Sequence, residues 1–312
     1  MSETACAMVA IVGAPNAGKS TLVNLLVGSK VAIVTHKVQT TRFPLRGVAM
    51  RGSTQLVLID TPGVFSPKRR LDRAMVRAAW GAAEDADAVV HLVDAPAHAR
   101  ALEGRPTPSD AKTINDVARI TEGLKGAGRA AFLALNKIDA MPRAALLAVA
   151  KALHETGAYT EVFMISALTG DGVEALSEAL CARAAPGPWL YPEDQAADAP
   201  ARVLAAEITR EKLMLRLHDE IPYEASVETE AWVERKDGSV RIEQTIFVAR
   251  DSQRRIAIGD GGQTVKAIGE AARLEMAAAF DKPVHLFLHV KVREGWAEER
   301  SLYTARGLDY DA

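Results

Sequence analysis

Gly13-Ala14-Pro15-Asn16-Ala17-Gly18-Lys19-Ser20-Thr21 follows directly on the apolar run Ala7-Met8-Val9-Ala10-Ile11-Val12, and no other feature of the chain narrows its fold as far. The uninterrupted apolar run reads as a strand buried on both faces of a parallel sheet. The spacing G-x-x-x-x-G-K-S then predicts a tight loop and a helix over 21–27. Gly13 and Gly18 admit backbone conformations that a side chain would block, so successive N–H groups can curl around a phosphate. The helix N-terminus adds its dipole to that anion site. Lys19 brings a positive charge to the β- and γ-phosphates, and the Ser20 hydroxyl is suited to Mg²⁺.

Two further boxes lie downstream, each behind its own apolar run. Asp60-Thr61-Pro62-Gly63 closes Leu56-Val57-Leu58-Ile59, which places Asp60 at a strand's carboxyl end, facing bound phosphates. There a carboxylate can hold a metal-bound water and the Gly63 amide can meet a γ-phosphate. Asn136-Lys137-Ile138-Asp139 follows Ala131-Phe132-Leu133-Ala134-Leu135. Asp139 can accept from both N1–H and the exocyclic N2–H₂ of guanine, an edge that adenine lacks. A mismatched buried polar edge costs a few kcal/mol, so such a site selects its base. Asn136 is expected to bridge back to the phosphate loop and the Lys137 stem to lie over the base. The triplet Ile165-Ser166-Ala167, after Val162-Phe163-Met164, offers a backbone N–H to the guanine O6. In this order the boxes predict guanine-nucleotide binding by Gly13 to Thr21, Asp60 to Gly63, Asn136, Lys137, Asp139, Ser166 and Ala167. A P-loop kinase or ATPase is the rival reading, and Asp139 argues against it.

The chain of 312 residues has room for two domains. Strands alternate with amphipathic helical stretches up to residue 184, as in a mostly parallel sheet wrapped by helices. Pro44 to Met50 and Thr54 to Ile59 read as an antiparallel hairpin across Arg51-Gly52-Ser53. Ala95 to Asp110, with Pro96, Gly104, Pro106 and Pro108, reads as an exposed loop. Residues 185–201 are proline-rich and polar and read as a linker. No apolar run is long enough to span a bilayer, and Met1-Ser2-Glu3-Thr4 lacks the basic region of a secretory signal. Cys6 and Cys181 stand far apart, outside any ligand spacing, and read as thiols of a cytoplasmic protein.

After residue 201 the pattern changes. A helical period over 203–217 precedes alternating runs at Val227 to Val233 and Val240 to Val248, joined by Lys236-Asp237-Gly238. Ile256-Ala257-Ile258 leads into Gly259-Asp260-Gly261-Gly262, then a helix with Val265, Ile268, Ala272 and Met276 on one face, and a last strand over 284–292. This order resembles a K-homology RNA-binding domain of the prokaryotic (type II) kind, an α+β fold over residues 202–312. The resemblance places single-stranded RNA at Gly259, Asp260, Gly261, Gly262 and Lys266, with bases in an apolar groove of Ile258, Val265 and Ile268. Asp260-Gly261 departs from the cationic pair frequent in that family, leaving Lys266, Arg254 or Arg255 to offset the carboxylate. Residues 201–312 carry 17 basic and 20 acidic side chains, so RNA contact must be confined to one local face.

The first 184 residues resemble the translation-factor-related P-loop GTPases, a Ras-like α/β fold. His36-Lys37-Val38-Gln39-Thr40-Thr41-Arg42 narrows the resemblance to the Era family, in which such a segment is the first switch. The resemblance implies that Thr40 or Thr41, with Thr41 favoured by analogy, joins Ser20 and Asp60 at Mg²⁺. It makes Lys19, Thr41, Asp60 and Gly63 the residues of GTP hydrolysis. The position where Ras-like enzymes often carry a water-orienting glutamine is Val64, which implies slow intrinsic turnover. Asn16 corresponds to an asparagine that holds K⁺ near the phosphates in related GTPases. Glu211-Lys212-Leu213, Ile221-Pro222-Tyr223 and Lys291-Val292-Arg293-Glu294-Gly295-Trp296 extend the resemblance over nearly the whole chain, with Trp296 read as a packing anchor. It implies a monomer that binds GTP and GDP and the 3′ end of small-subunit (16S) ribosomal RNA and acts in assembly of the small ribosomal subunit. Loose peripheral association with the inner membrane face is implied as well, although no basic amphipathic helix or lipidation motif accounts for it.

Overall fold

The computed structural model describes residues 4–312, so Met1-Ser2-Glu3, read above as lacking the basic region of a secretory signal, lie outside the described residues. The chain forms two compact units. One comprises the chain up to Ala32, Thr41–Asp198 and Leu308–Ala312; the other comprises Ile33–Thr40 and Ala199–Gly307.

The first unit runs β1 (Ala5–Val12), α1 (Lys19–Val27), β2 (Leu45–Arg51), β3 (Thr54–Asp60), α2 (Arg70–Asp85), β4 (Ala88–Asp94), α3 (Ala95–Leu102), α4 (Pro108–Gly126), β5 (Ala131–Asn136), α5 (Arg143–His154), β6 (Tyr159–Met164), α6 (Val173–Cys181) and β7 (Ala185–Pro186). Its sheet is ordered β2-β3-β1-β4-β5-β6, with β7 paired to the start of β1. β2 runs antiparallel to β3 and the pairings from β3 through β6 are parallel. Period-two alternation divides the strands between two cores. Ala10, Val12, Val89, Val93, Leu133 and Leu135 face helices α2 to α5, while Val9, Ile11, Val90, Leu92 and Ala134 face α1 and α6. Because the connections from β1 leave towards opposite faces, a crevice opens at the carboxyl end of β1, where the phosphate loop begins.

Two stretches differ from expectation. Ala95 to Asp110 is mostly not a loop, because Asp94 caps α3 by accepting from the Ala97 N–H at 3.1 Å and Pro96 sits in the first turn, where no amide is required. Arg100 then grips Asp110 through two hydrogen bonds of 2.8 and 2.6 Å, which holds the Asp110 carboxyl well below the usual carboxylate range. The proline-rich stretch from 185 is folded onto the first unit as far as Asp198. The fully buried Gln55 side chain accepts from the amides of Leu190 and Tyr191 at 2.9 and 3.0 Å and donates to the Tyr191 carbonyl at 2.8 Å. Trp189 donates to the Ser53 carbonyl at 3.0 Å, and Val48 donates to the Ala196 carbonyl at 2.8 Å. An extended chain with the right side chain beneath it finds backbone partners without any helical or alternating pattern of its own.

The second unit runs α7 (Ala201–Arg216), β8 (Ala225–Glu234), β9 (Val240–Val248), α8 (Asp251–Ile258), a single 3₁₀ turn (Asp260–Gly262), α9 (Gln263–Phe280), β10 (Val284–Val292) and α10 (Arg300–Ala305). The sheet order is β10-β9-β8, with β9 antiparallel to β8 and parallel to β10. Helices α7 and α9 cover one sheet face, burying Ile208, Leu213, Ile268, Ala272 and Met276 against Val227, Ile242, Ile246 and Val248. Trp296 is 4% exposed and donates to the Glu224 carbonyl at 2.9 Å, which makes it a packing anchor.

Candidate functional site

At the carboxyl end of β1 the chain turns through Gly13 to Gly18 before entering α1. A Cβ at Gly13 would lie 2.5 Å from the Leu92 carbonyl oxygen, and one at Gly18 (φ +99°) would lie 2.3 Å from Asn136 Nδ2. These clashes, with the left-handed backbone at Gly18, explain why both positions carry glycine. Lys19 is buried, and its ammonium donates to the Gly13 and Ala14 carbonyls at 3.0 and 2.9 Å. Burial pulls its pKa down to about 8, against the opposing pull of Asp60.

Three oxygens from three segments converge beside it. Ser20 Oγ lies 2.7 Å from Asp60 Oδ2, and Thr41 Oγ1 lies 3.0 Å from both Ser20 Oγ and Asp60 Oδ2. Thr40 is not in this cluster; its hydroxyl faces Thr35 Oγ1 at 2.6 Å and the Lys37 carbonyl at 2.8 Å. Of the two candidate threonines, only Thr41 meets Ser20 and Asp60. Desolvation pushes the Asp60 carboxyl up, opposed by the Ser20 hydroxyl, Lys19 and Thr41. Its second oxygen, Oδ1, is buried and has no hydrogen-bond partner among the described residues. An all-oxygen donor set with one carboxylate and a buried acceptor to spare has the chemistry of a Mg²⁺ site. The residues present fit that ion.

The remaining boxes surround the same crevice. Thr61 is fully buried and donates to the Ile11 carbonyl at 2.7 Å, which ties the end of β3 to β1. Gly63 lies against the loop so closely that a Cβ would sit 2.9 Å from Pro15 N, and the Val64 amide donates to the Gly13 carbonyl at 3.1 Å. The Val64 side chain is 1% exposed and packs in the core, so it cannot address a water. Asn136 joins two loops: Nδ2 donates to the Ala17 carbonyl at 2.7 Å and Oδ1 accepts from the Ala167 N–H at 2.8 Å. Lys137 holds a left-handed backbone (φ 67°), and its ammonium pairs with Asp94 at 2.5 Å. Asp139 is exposed.

The Ile165-Ser166-Ala167 amides all have partners within the protein. They donate to the Leu135 carbonyl, the Asp171 carbonyl and Asn136 Oδ1, respectively. The Leu168 side chain, next in the chain, is 77% exposed. Triplet spacing alone could not show which amides the neighbouring strand and Asn136 already occupy.

In the second unit, Gly259 (φ 74°), Gly261 (φ 58°) and Gly262 (φ 80°) turn the chain between α8 and α9. A Cβ at Gly259 would fall 2.2 Å from Thr264 Oγ1, whereas Gly261 and Gly262 face open space. Asp260, Gly261 and Lys266 are exposed, and Ile258 and Val265 are half-buried. Ile268 is 1% exposed and packs against Leu213 and Ala257, so it belongs to the core and not to a groove wall. The exposed apolar side chain near the turn is Ile256, at 53%. Arg254 and Arg255 are exposed as well, with Arg254 3.7 Å from Asp251.

Both parts of the chain match known protein families. Residues 8–137 match the 50S ribosome-binding GTPase family and residues 220–297 match the KH domain family. The chain is 63% identical to GTPase Era of Caulobacter vibrioides over 310 residues, covering 99% of this chain and 98% of the relative. The chain belongs to the Era family of GTPases. The Era of Maricaulis maris is 56% identical, with all of both chains covered. A crystal structure of Era in complex with MgGDPNP and nucleotides 1506–1542 of 16S ribosomal RNA superimposes with a TM-score of 0.85 at 33% identity, covering 97% of this chain and 99% of that one. Aquifex aeolicus Era, as a variant bound to GDP·AlF₄⁻, gives the same score, identity and coverage. The chain thus has the Era arrangement of a P-loop GTPase domain followed by a KH domain.

Proposed function

We propose that this Era-family chain hydrolyses GTP at the crevice beside β1 and uses its KH unit to bind the 3′ end of small-subunit ribosomal RNA during assembly of that subunit. The observation that carries the nucleotide half is the convergence of Ser20, Thr41 and Asp60 within 3.0 Å beside a buried lysine. Ser20, Thr41 and Asp60 would hold Mg²⁺. When bound there, such an ion would supply positive charge against the phosphates. Lys19 would exchange its contacts with the Gly13 and Ala14 carbonyls for phosphate oxygens, and the amides of Asn16 to Ser20 would enclose the β-phosphate. The Gly63 amide would donate to the γ-phosphate. Asp139 would select guanine, with Asn136 holding the two loops together.

No side chain at position 64 can orient the attacking water, so the intrinsic rate is slow and the water is placed by backbone, a partner or a cation. Asn16 is the residue offered for K⁺; equal turnover in potassium and sodium buffers removes that part of the reading. The RNA half is supported by the exposed glycine turn before α9 and by the relative bound to 16S ribosomal RNA. Crosslinking to cellular RNA, with GDP or a non-hydrolysable GTP analogue, tests it; recovery of no small-subunit RNA under either condition refutes it. No helix among the described residues is long and apolar enough to cross a membrane. Cytoplasmic residence with loose peripheral membrane contact belongs to the same reading and is tested by flotation with lipid vesicles.

A further inference from the structure

The stretch from Lys68 to Arg77 carries five basic side chains, Lys68, Arg69, Arg70, Arg73 and Arg77, and no stretch of ten elsewhere in the chain carries more than three. Its one acid, Asp72, is buried and accepts from the amides of Lys68 and Arg69 at 3.1 and 3.0 Å, so it serves the start of α2 and not the surface. Ala74, Met75, Ala79 and Ala83 are the apolar residues that α2 buries. Arg70, Arg73 and Arg77 recur at three and four residues, which sets them in one row along the helix. That row covers about 10 Å of helix.

The row is covered by another piece of the same compact unit, Leu308–Ala312. Arg77 pairs with Asp309 at 3.2 Å, the Arg70 guanidinium lies 4.4 Å from the centre of the Tyr310 ring, and Arg73 Nε donates to the Ala312 backbone oxygen at 3.1 Å. Asp309 also folds the segment on itself by accepting from the Asp311 amide at 2.9 Å. An acidic, aromatic peptide thus engages all three arginines. The hold is light. The side chains of Arg77 and Asp309 are 66% and 42% exposed, and a pair so open to solvent adds little to stability and is screened by salt. Leu308, at 7% exposure, anchors the segment.

Guanidinium groups bind phosphate oxygens two at a time and shed water readily, so a row of them under a light acidic cover has the chemistry of a phosphate-backbone site held closed. About 10 Å of helix matches the rise of about three successive phosphates on one strand. A lipid surface fits less well, because the apolar side of α2 is taken up by the core. We propose that Arg70, Arg73 and Arg77 form a second RNA-binding surface, which takes the phosphate backbone, and that Leu308–Ala312 is its built-in competitor. A polyanion with several phosphates in line displaces the segment where a single anion does not. The surface goes beyond the RNA contact at the glycine turn and does not depend on it.

The test uses the full chain and a blunt-ended RNA duplex, which offers no unstacked bases to the turn at Gly259 to Gly262. Two variants remove the cover: a chain ending at Gly307, and Asp309→Asn with Tyr310→Ala, which keeps the Leu308 anchor. Each is also made with Arg73→Gln and Arg77→Gln, and circular dichroism checks that all are folded. Affinity is read by fluorescence anisotropy between about 50 and 200 mM salt. Either uncovered form binds the duplex on the order of fivefold tighter than the unaltered chain. The arginine changes cancel that gain and lower the slope of log affinity against log salt by about two. A gain that survives the arginine changes, or no gain in either folded uncovered form, overturns the proposal. Binding of phosphatidylglycerol vesicles in place of the duplex gives the row to a membrane surface and overturns it too. Failure to bind single-stranded RNA, measured in a separate titration, counts against the KH reading instead.

Discussion

Replacing Asn136 by alanine removes a side chain that joins the phosphate loop to the loop after β6. Its two hydrogen bonds, to the Ala17 carbonyl at 2.7 Å and from the Ala167 amide at 2.8 Å, both lie in buried surroundings. Alanine supplies neither donor nor acceptor and leaves a carbonyl and an amide stranded. Each stranded buried group costs about 1–3 kcal/mol, so the pair costs about 2–6 kcal/mol unless water enters. In a unit of this size each kcal/mol lowers the melting temperature by about 2–4 °C, which sets a minimum loss of about 4 °C. Aspartate is the sharper probe. It can still accept from Ala167, yet it sets a carboxylate oxygen against the Ala17 carbonyl. The order of melting temperature and of GDP affinity is therefore Asn above Ala, with Asp no better than Ala. Differential scanning calorimetry and titration calorimetry read both quantities on the same samples. An Asn136→Ala protein that melts within about 1 °C of the parent and binds GDP equally refutes the idea that this bridge organises the site.

Asp139→Asn is expected to weaken GTP and to favour xanthosine nucleotides, as measured by competition against a fluorescent guanine nucleotide; retained GTP affinity refutes the base-selecting role. Gly18→Ala brings a Cβ to 2.3 Å from Asn136 Nδ2 on a left-handed backbone, so nucleotide affinity should fall at least about tenfold with circular dichroism unchanged. Lys19, with its pKa lowered to about 8, holds fewer protons in the folded than in the unfolded chain between about pH 8 and the unfolded value of 10.5. Its burial penalty on stability is thus present below pH 8 and is relieved as pH rises through that window. A bound phosphate raises the same pKa, so nucleotide binding at pH 8 should take up about half a proton, read by calorimetry in buffers of different ionisation enthalpy; no uptake refutes a phosphate contact by Lys19.

Much of the site was legible because its parts are local. A glycine needed for a close approach, a lysine beside it and a carboxylate at a strand end follow one another at fixed spacing, and each strand announces itself by apolar run length. What escaped depended on partners distant in sequence. Ala95 to Leu102 looked like a loop because proline is counted as a breaker, although in the first turn it is tolerated and Asp94 supplies the cap. The folded course of 185–198 rests on Gln55, more than a hundred residues earlier, and nothing in the stretch itself encodes that partner. Ile268 fell on the predicted groove because periodicity identifies an apolar face without saying whether that face is covered. The choice between Thr40 and Thr41 needed coordinates, since the two side chains point to different neighbours.

The chain changes unit after Ala32, after Thr40, after Asp198 and after Gly307. Cutting the gene at the apparent boundary near residue 198 therefore yields two fragments that each lack pieces of themselves. The amino-terminal product would carry eight switch residues severed from their hosts and would miss its last five, while the carboxyl-terminal product would carry an empty berth along α7. Measurements on such halves would describe proteins that the intact gene never makes, and exchange of either half between relatives would have to carry its small exiled segments with it.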